Sequence, residues 1–563
     1  MNKKIILFAL LIFVLVLAVA CKPQEQVATQ PAQELKELET TIYYRDVFRS
    51  YLPEPGNVAT DIQAQLAELG IKAKIEVMES GAFIEESGAG RINGIHLLGW
   101  NADYPHITNF LDFHFGKSVL QFGNPYPEIY EKLASAAQIA DPDEAEPLYV
   151  EANNAIRELV PMIPVAHGGS ATVFKADVEG AHASPLGNEY FAVMDPGGRD
   201  TLVWMQNAEP ISLYCNDETD GESLRACEQV LESLLAYEVG GTDVKPGLAT
   251  SCEPNDDLTV WTCNLREGVK FHDGSSFDAN DVVMSWVVAW DGTSKLHIGN
   301  TGLWEYFTYL WYDLLSEENP PVYSTIESDG FEGMVVTAPN CDYGGLIKEI
   351  AALDAKTVQF TMCVPDPAFE VKAAFSAFSI QPKEWIEKAM VSREILEKPI
   401  GTGPYVLDAW NRGDSIIFKP FADYWGEPAE TETLVFRWST EGAQRKLELE
   451  AGTVDGIDNP SPDDFDALKA NPDLVVYPRE AMNVFYIGFT NTFPPFDDVR
   501  VRQAIAMGID RQRIVDNFYP KGSIVASHFT PCSVLNGCVG EPWWDYDPVA
   551  AKALLAEAGF GKK

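Results

Sequence analysis

The sequence is poor in basic residues and in histidine. Its 41 lysine and arginine residues are outnumbered by 84 aspartate and glutamate residues, which gives a formal net charge of −43, and it contains only 8 histidines. Such an excess of negative charge repels nucleic-acid phosphates and anionic lipid surfaces, so we expect neither to bind the folded protein. We interpret the excess as a solvated acidic surface; an acidic patch that attracts cationic ligands is the alternative.

The sequence also lacks the short motifs that mark common enzymes. It has no Gly-x-Ser-x-Gly nucleophile motif, no phosphate-binding loop and no zinc-protease motif. His106, His114 and Asp103 could suggest a metal, but their spacing matches no defined ligand pattern. The acidic run from Asp273 to Asp281 lacks the full calcium-loop pattern. The sequence therefore predicts a protein with no enzymatic activity, no metal ion and no cofactor.

No apolar segment is long enough to span a bilayer. The apolar run at residues 5–20 follows Lys3 and Lys4 and is shorter than the ~20 residues that a spanning helix needs. It suits the core of a signal peptide, and residues 17–21 resemble a bacterial lipobox whose cysteine, Cys21, carries a lipid after cleavage. We predict a lipoprotein signal peptide over 1–21 and a flexible tether over 22–37. Ordinary secretion with an unlipidated Cys21 is the alternative.

Cysteine is scarce, and no Cys-x-x-Cys pair stands near a pair of histidines, so the sequence favours disulfides over zinc. An even number of remaining cysteines in an exported chain indicates disulfides. Local pairing needs the fewest assumptions, although sequence alone does not fix connectivity. It predicts four disulfides: Cys215 with Cys227, Cys252 with Cys263, Cys341 with Cys363, and Cys532 with Cys538.

Length and periodicity indicate an α/β protein of several domains. At about 100–200 residues per domain, 563 residues predict three or four domains. Apolar periodicity predicts a helix at 58–69 and strands at 71–78 and 95–100. Beyond residue 202 short strands dominate, and 499–518 returns to helix. No repeat of 20–50 residues is visible, which argues against solenoids and propellers.

The two ends of the chain look complementary. Near the carboxyl end Asp547 and Pro548 begin a predicted helix that Gly559 ends, and a strand should follow. Residues 40–44 read as a strand with no helix before them. We therefore expect a circularly rearranged fold in which both ends share one lobe, with the old ends joined near 195–200. A hybrid of two truncated genes is the alternative.

Ten phrases along the chain carry a family resemblance. They are 206–210 (QNAEP), 232–235 (ESLL), 245–249 (KPGLA), 265–274 (LREGVKFHDG), 279–283 (ANDVV), 401–405 (GTGPY), 423–425 (DYW), 451–456 (AGTVDG), 496–504 (FDDVRVRQA) and 554–560 (LLAEAGF). Together they resemble the family 5 extracellular solute-binding proteins, the dipeptide, oligopeptide and nickel receptors of ABC importers. The segments that would come next in such proteins stand at 40–45, 59–71 and 99–105, in rotated order.

The resemblance implies a two-lobed fold like that of the type II, cluster C periplasmic binding proteins, with an extra β-rich domain and a permuted order. The chain should cross between the lobes near His167 and near 482–486. The implied domains are lobe 2 at 38–170 and 481–563, lobe 1 at 171–233 and 401–480, and an inserted domain at 234–400.

The resemblance also implies a ligand site. In peptide-binding relatives the backbone of the segment corresponding to 99–104 pairs with an extended ligand, and an aspartate at the Asp103 position holds its α-ammonium group. The candidate ligand-binding residues are Gly99, Trp100, Asn101, Asp103, Tyr104, His167 and Tyr486. Trp100 and Tyr104 would form apolar walls. The alternative is that Trp100 packs in the core and Asp103 caps a helix.

Together these features predict a monomeric substrate-binding lipoprotein on the outer face of the cell membrane. It would capture a peptide or a similar small solute and deliver it to an ABC transporter permease, with a lipid anchor as its membrane contact. Because aromatic clefts stack sugar rings, an oligosaccharide receptor is the main alternative; a secreted hydrolase or an adhesion protein belongs to another class.

Overall fold

The computed structural model describes residues 35–297 and 304–561. The predicted signal peptide at 1–21, with Cys21, lies outside the described residues, as does most of the predicted tether at 22–37. Three large sheets organise the described chain, and each is the centre of a separate body. We call these bodies lobe 2, lobe 1 and the third body.

Lobe 2 is built on a mixed six-stranded sheet. In spatial order its strands are β2 (Ile71–Met78), β1 (Leu38–Arg45), β3 (Ile95–Asn101), β20 (Asn483–Phe489), β4 (Met162–His167) and β21 (Ile524–Val525). β1 runs parallel to β2 and β3, whereas β20 is antiparallel to β3 and β4. The helices of this lobe are α1 (Pro55–Glu68), α2 (Ser80–Gly88), α3 (Ile107–Phe115), α4 (Pro127–Ala136), α5 (Pro142–Leu159), α13 (Val499–Gly508), α14 (Arg511–Phe518) and α15 (Pro548–Glu557).

Lobe 1 is built on a seven-stranded sheet. In spatial order its strands are β15 (Tyr405–Asn411), β16 (Ser415–Pro420), β17 (Thr433–Trp438), β6 (Thr201–Gln206), β18 (Gly456–Asp458), β5 (Ser170–Lys175) and β19 (Leu474–Arg479). Its α-helices are α6 (Gly221–Cys227), α11 (Gly442–Ala451) and α12 (Phe465–Ala470), and its 3₁₀ turns are Phe191–Val193, Cys215–Asp217 and Pro462–Asp464.

The third body is built on an antiparallel six-stranded sheet. Its strands are β11 (Val322–Ser328), β12 (Phe331–Thr337), β13 (Ile347–Asp354), β14 (Thr357–Met362), β10 (Val260–Leu265) and β9 (Ala249–Pro254), with β7 (Leu235–Tyr237) and β8 (Val244–Pro246) paired beside it. Its helices are α7 (Ala279–Trp290), α8 (Glu305–Trp311), α9 (Phe369–Ala373) and α10 (Lys383–Ser392), with 3₁₀ turns at Ser376–Phe378 and Glu394–Leu396.

Two large hydrophobic cores divide the described chain unevenly, and a smaller third cluster around Ile457 lies in lobe 1. One contiguous core runs from lobe 1, around Trp204, into the third body, around Trp286. Lobe 2 has a core of its own, which includes Ile42 and Tyr486. Because a shared core resists relative movement of the bodies that contribute to it, lobe 1 and the third body form one half and lobe 2 forms the other.

The ends of the described chain meet in lobe 2. Asp547 accepts hydrogen bonds from the N–H groups of Val549 (3.0 Å) and Ala550 (2.9 Å) and thereby begins α15 as the sequence predicts. After this helix the carbonyl of Gly559 accepts from the N–H of Lys36 at 2.8 Å. The strand that begins before residue 40 and the helix that ends before Gly559 therefore share one lobe and one core.

The predicted helix at 499–518 is two helices. Ile509 and Asp510 interrupt it, and the Asp510 carboxylate accepts from the N–H of Arg513 at 3.0 Å, so that it caps α14. An aspartate that can accept a backbone N–H competes with helix continuation, and apolar spacing alone did not reveal this cap.

The structure forms the four disulfides that local pairing predicts. Cys215–Cys227 lies in lobe 1, Cys252–Cys263 and Cys341–Cys363 lie in the third body, and Cys532–Cys538 lies in lobe 2. Each closes a short loop, the longest with a sequence separation of 22.

Within the described residues, no helix combines the length and the apolar character that crossing a membrane would require.

Strand β1 should contribute strongly to the stability of lobe 2. Ile42 is 0% exposed in β1, whereas Val77 in the neighbouring β2 is 55% exposed. Replacing Ile42 by alanine removes buried methyl groups and leaves a cavity, so we expect the free energy of unfolding to fall by about 2–5 kcal/mol. Val77→Ala, the matched control, should change it by less than about 0.5 kcal/mol. Urea unfolding would measure both; equal effects would contradict the placement of β1 in the core.

Candidate functional site

The chain crosses between lobe 2 and lobe 1 twice, and the crossings touch. The first crossing lies between β4 and β5, at Gly168 and Gly169, and the second lies between β19 and β20, just before Asn483. The Asn483 amide donates to the carbonyl of Gly168 at 2.7 Å and accepts from the N–H of Gly168 at 2.8 Å. One side chain therefore joins the two connecting strands at the point where any hinge movement must occur.

A cavity of about 210 Å³ lies beside the crossings, where the lobes face each other. Larger hollows of about 720, 930 and 980 Å³ exist elsewhere. The smaller cavity is the candidate ligand site because residues next to both crossings, Ser170 and Asn483, and residues of all three bodies form its wall. Lobe 2 contributes Arg49, Ser50, Asn101, Asp103 and Asn483; lobe 1 contributes Asn188, Glu222, Arg225, Glu228, Asp458 and Arg479; the third body contributes Tyr306 and Phe375.

Asp103 lies on the cavity wall in the turn between β3 and α3. Its carboxylate accepts from the Asn109 amide at 3.0 Å and from the Tyr306 hydroxyl of the third body at 2.7 Å. Burial raises the pKa of Asp103 to about 6. His106, whose ring accepts from the N–H of Thr108, caps α3 instead of Asp103. Since a carboxylate has about four acceptor positions, Asp103 can still accept from a ligand.

Asn101 is the other predicted residue on the cavity wall, and its side-chain oxygen accepts from the Ser50 hydroxyl at 3.0 Å. Gly99 lies one step deeper in β3, opposite Phe485 of β20. The ring of Tyr51 fills the space that a side chain at Gly99 would need. Gly99 is therefore packed beneath Tyr51 and does not line the cavity.

The two predicted aromatic walls, Trp100 and Tyr104, pack against protein neighbours and do not line this cavity. Trp100 donates its indole N–H to Asn109 at 3.1 Å and stacks on Phe113 with ring centroids 4.0 Å apart. Tyr104 is 3% exposed and joins the core that lobe 1 shares with the third body. Neither lines the cavity, because each ring is taken up by protein neighbours.

His167 and Tyr486 are also structural. His167 is 1% exposed, lies at the first crossing and donates a ring N–H to the carbonyl of Asn483 at 2.5 Å. Burial lowers the pKa of His167 to about 4, so that its ring is neutral at neutral pH. Tyr486 is enclosed in the lobe 2 core and its hydroxyl accepts from the Gln121 amide. Their positions at a crossing suggested ligand contact, but burial removes both from the cavity.

A ring of four buried charges supports the lobe 1 side of the cavity. Arg479 pairs with Glu189 at 2.6 Å and with Asp458 at 3.0 Å. Arg225 pairs with the same two carboxylates, each at 2.9 Å. Sequence reasoning missed this ring because its members are far apart along the chain and no local motif joins them. Two guanidiniums and two carboxylates balance, so the ring adds no net charge to the cavity.

Two further carboxyl groups face the cavity from lobe 1. Burial raises the pKa of Glu222 and that of Glu228 to about 7 each. The lining residues in the described chain include no histidine, cysteine or tryptophan. Elsewhere in the same residues no group of three metal-ligating side chains is placed to hold an ion. The arrangement is suited to binding a small molecule that bears positive charge.

The charge ring should be a major source of stability. Arg479→Met leaves Glu189 and Asp458 buried with a single guanidinium, and we expect the free energy of unfolding to fall by about 3–5 kcal/mol at pH 7. The matched control is Arg437→Met in β17, whose pair with Glu448 is 3.8 Å long and partly exposed. That loss should cost at most about 1 kcal/mol.

The same variant has a defined pH dependence. Burial alone would raise the pKa of Glu189, but Arg479 and then Arg225 outweigh it and hold this pKa at about 2. A lowered carboxyl pKa stabilises the fold above the unfolded value of about 4.5, and the stabilisation is lost as the pH falls toward 2. Denaturant unfolding should therefore show the difference between Arg479→Met and the wild type narrowing below pH 4. A difference that stays constant would contradict this origin.

Comparison with known proteins identifies the family. The family model described as "Bacterial extracellular solute-binding proteins, family 5 Middle" matches residues 243–563. Among curated relatives, Di/tripeptide-binding protein 1 of Pseudomonas aeruginosa is 30% identical over 390 residues, 67% of each chain. The dipeptide-binding protein of Escherichia coli is 29% identical over 372 residues, 64% of each chain. The chain thus spans about two thirds of the length of these relatives.

Solved structures show the same fold. HbpA2 from Haemophilus parasuis matches with a TM-score of 0.51 and 29% identity over 64% of this chain and 67% of that one. The periplasmic binding protein DppA from Helicobacter pylori, in complex with peptide STSA, matches with a TM-score of 0.51 and 24% identity over 64% and 66%. The fold is that of a two-lobed type II periplasmic binding protein, with multiple sheets. Because the family model covers more than half of its residues, this chain belongs to the family 5 bacterial extracellular solute-binding proteins.

Proposed function

We propose that this protein is the substrate-binding receptor of an ABC importer and captures a short peptide or a similar small solute that bears an ammonium group. The observation that carries the proposal is the position of Asp103 in a small cavity between the lobes. A desolvated ammonium group needs a carboxylate partner, and a ligand that contacts both lobes shifts the protein toward its closed state. Relatives whose names specify di- and tripeptides support this class of ligand.

Size and composition favour a peptide over an oligosaccharide. A cavity of about 210 Å³ is small for a drug-sized ligand, since such sites usually measure ~300–1,000 Å³. Its described wall has no tryptophan on which a sugar ring could stack. The same wall holds no histidine, cysteine or lysine, and we propose that its carboxyl groups bind a cation instead of acting as general bases for a hydrolase.

The remaining parts of the proposal concern location and assembly. We propose that the receptor works outside the cytoplasm as a monomer, anchored to the outer face of the membrane through a lipid on Cys21, and that it passes its ligand to a permease without covalent chemistry. The lipobox-like residues 17–21 and the four disulfides support export. Mass spectrometry of the protein from its native membrane would show whether Cys21 carries a lipid.

Binding of dipeptides should depend on Asp103. We expect Asp103→Asn to weaken binding of free-amine dipeptides by about 1–3 kcal/mol, the usual scale for loss of a charged hydrogen-bond partner. Asp143→Asn, at an exposed position in α5, is the matched control and should leave affinity unchanged. Isothermal titration calorimetry would measure both. Unchanged affinity in Asp103→Asn would remove Asp103 from the site, and no binding of any dipeptide to the wild type would overturn the proposed ligand class.

The pH dependence has a predictable sign. Because the pKa of Asp103 is raised to about 6, this carboxylate is protonated below pH 6 and then cannot pair with an ammonium group. Affinity in the wild type should rise as the pH increases from 5 to 7, by up to about tenfold per unit below the pKa. In Asp103→Asn the slope should be shallower, since only the ionisation of Glu222 and Glu228 on the same wall would remain to produce it.

We also propose that the order of segments is circularly permuted relative to the family. The family-model match at 243–563 and the proximity of Lys36 to Gly559 support this order. A chain in which residue 561 is linked to residue 36 and the loop at 195–200 is opened should fold and bind the same ligand, since its contacts are unchanged. Circular dichroism and calorimetry would test it. The control is the same linked chain opened at the exposed loop of Gly413. If the control folds and the chain opened at 195–200 does not, the proposed permuted order would be contradicted.

A further inference from the structure

The lobe 1 wall of the cavity carries more carboxyl groups than its arginines can pair with. The ring of Arg225, Arg479, Glu189 and Asp458 is neutral and internally paired. Glu222 and Glu228 remain on the same wall, and neither has a lysine or arginine nitrogen within 4.0 Å among the described residues. The lobe 1 wall therefore presents two carboxyl groups without a cationic partner.

Glu222 is an unusual carboxyl group. Its residue is only 9% exposed, and the part it does expose lines the cavity. Its side chain shares a hydrogen bond with another carboxyl group, that of Asp220. One Asp220 oxygen already accepts from the N–H of Ser223 at 3.0 Å and from the Ser223 hydroxyl at 2.7 Å. A hydrogen bond between two carboxyl groups requires that one of them keep its proton, whereas a cation that arrives from the cavity would allow both to ionise, so this position fits a cationic group of a ligand.

Glu228 extends the same wall. It follows α6 three residues after Arg225, and the Asn188 amide donates to it over a long 3.4 Å. Glu228 and Asn188 also line the neighbouring cavity of about 720 Å³, whose wall includes Tyr190, Tyr237 and Trp425. A long side chain that reaches Glu228 from the ligand cavity would therefore meet a second hollow beyond it.

We propose that Glu222 and Glu228 form a subsite for a second cationic group of the ligand, namely the lysine or arginine side chain of a short peptide. The subsite rests on the proposed function, because Asp103 already serves the α-ammonium group. The described wall carries four carboxyl groups outside the paired ring, Glu222, Glu228, Glu480 and Asp103, against one such arginine, Arg49, so a peptide with two cationic groups matches the cavity better than a peptide with one. The preferred substrates are thus short basic peptides.

Arg49 provides the competing explanation. It lies on the lobe 2 side and acts on Glu222 electrostatically, although the two groups form no ion pair within 4.0 Å. If closure brought Arg49 onto Glu222, this pair would hold the lobes together for every ligand alike. The two explanations differ in whether Glu222 discriminates among peptides.

The test compares dipeptides that differ only in the side-chain ammonium group: alanyl-lysine with alanyl-norleucine, and lysyl-alanine with norleucyl-alanine. In at least one of these two pairs, calorimetry should show that the wild type binds the lysine peptide at least about tenfold more tightly than the norleucine peptide. In Glu222→Gln/Glu228→Gln that ratio should fall to about one while the norleucine peptides keep their affinity. Asp143→Asn, at an exposed position of α5 that does not line the cavity, should leave the ratio as in the wild type.

Three results would overturn the subsite. Equal affinity of lysine and norleucine peptides for the wild type would show that the wall does not recognise the cation. If the double variant, or Glu222→Gln alone, lost the same affinity for the lysine and the norleucine peptides, the role of Glu222 would be to pair with Arg49 between the lobes. Absence of binding by all four peptides would remove the proposed function together with the subsite. Far-ultraviolet circular dichroism and urea unfolding of each variant confirm that the comparison is made on folded protein.

Discussion

The architecture depends on how the chain passes between its two halves. Asn483 holds Gly168 by two hydrogen bonds, so the two connecting strands form a single joint instead of two independent linkers. The carbonyl of Ser50 lies where a side chain at residue 168 would need to be, which explains the glycine. A joint with few rotatable positions restricts the relative motion of the lobes to a narrow range, and a cavity beside it changes shape with small rotations.

Two sets of charged groups lie near this joint, a paired ring and the carboxyl groups that face the cavity. The ring of Arg225, Arg479, Glu189 and Asp458 neutralises itself and fixes one wall of the cavity. Asp103, which faces the cavity, is held by two neutral donors, Tyr306 and Asn109. Neutral donors orient a carboxylate without cancelling its charge, which remains available to a ligand. The large negative charge of the whole chain reinforces attraction of cations to this region.

Local signals in the sequence predicted the elements well and the site only in part. The helix that Asp547 begins, the strand at β1 and the four cysteine pairs follow from caps, alternation and proximity along the chain. Asn101 and Asp103 stand on the cavity wall because strand β3 ends there, with Asn101 as its last residue and Asp103 in the turn that follows. Trp100 and Tyr104 were predicted to line the site, but their rings pack against protein. The sequence around an aromatic residue does not reveal whether its ring faces a ligand or the core. Arg225 and Arg479 could not be found from the sequence, since only the folded chain brings residues 189, 225, 458 and 479 together.

The disulfides have a consequence for the working cycle. All four connect cysteines within one body, and the three in the larger half belong to lobe 1 and the third body. Disulfide formation therefore stabilises each half against unfolding and places no covalent cross-link across the joint between them. The disulfides stabilise the two halves, whereas the joint that allows the lobes to open and close contains none of them. Reduction would therefore lower the stability of each half without preventing the relative motion of the lobes.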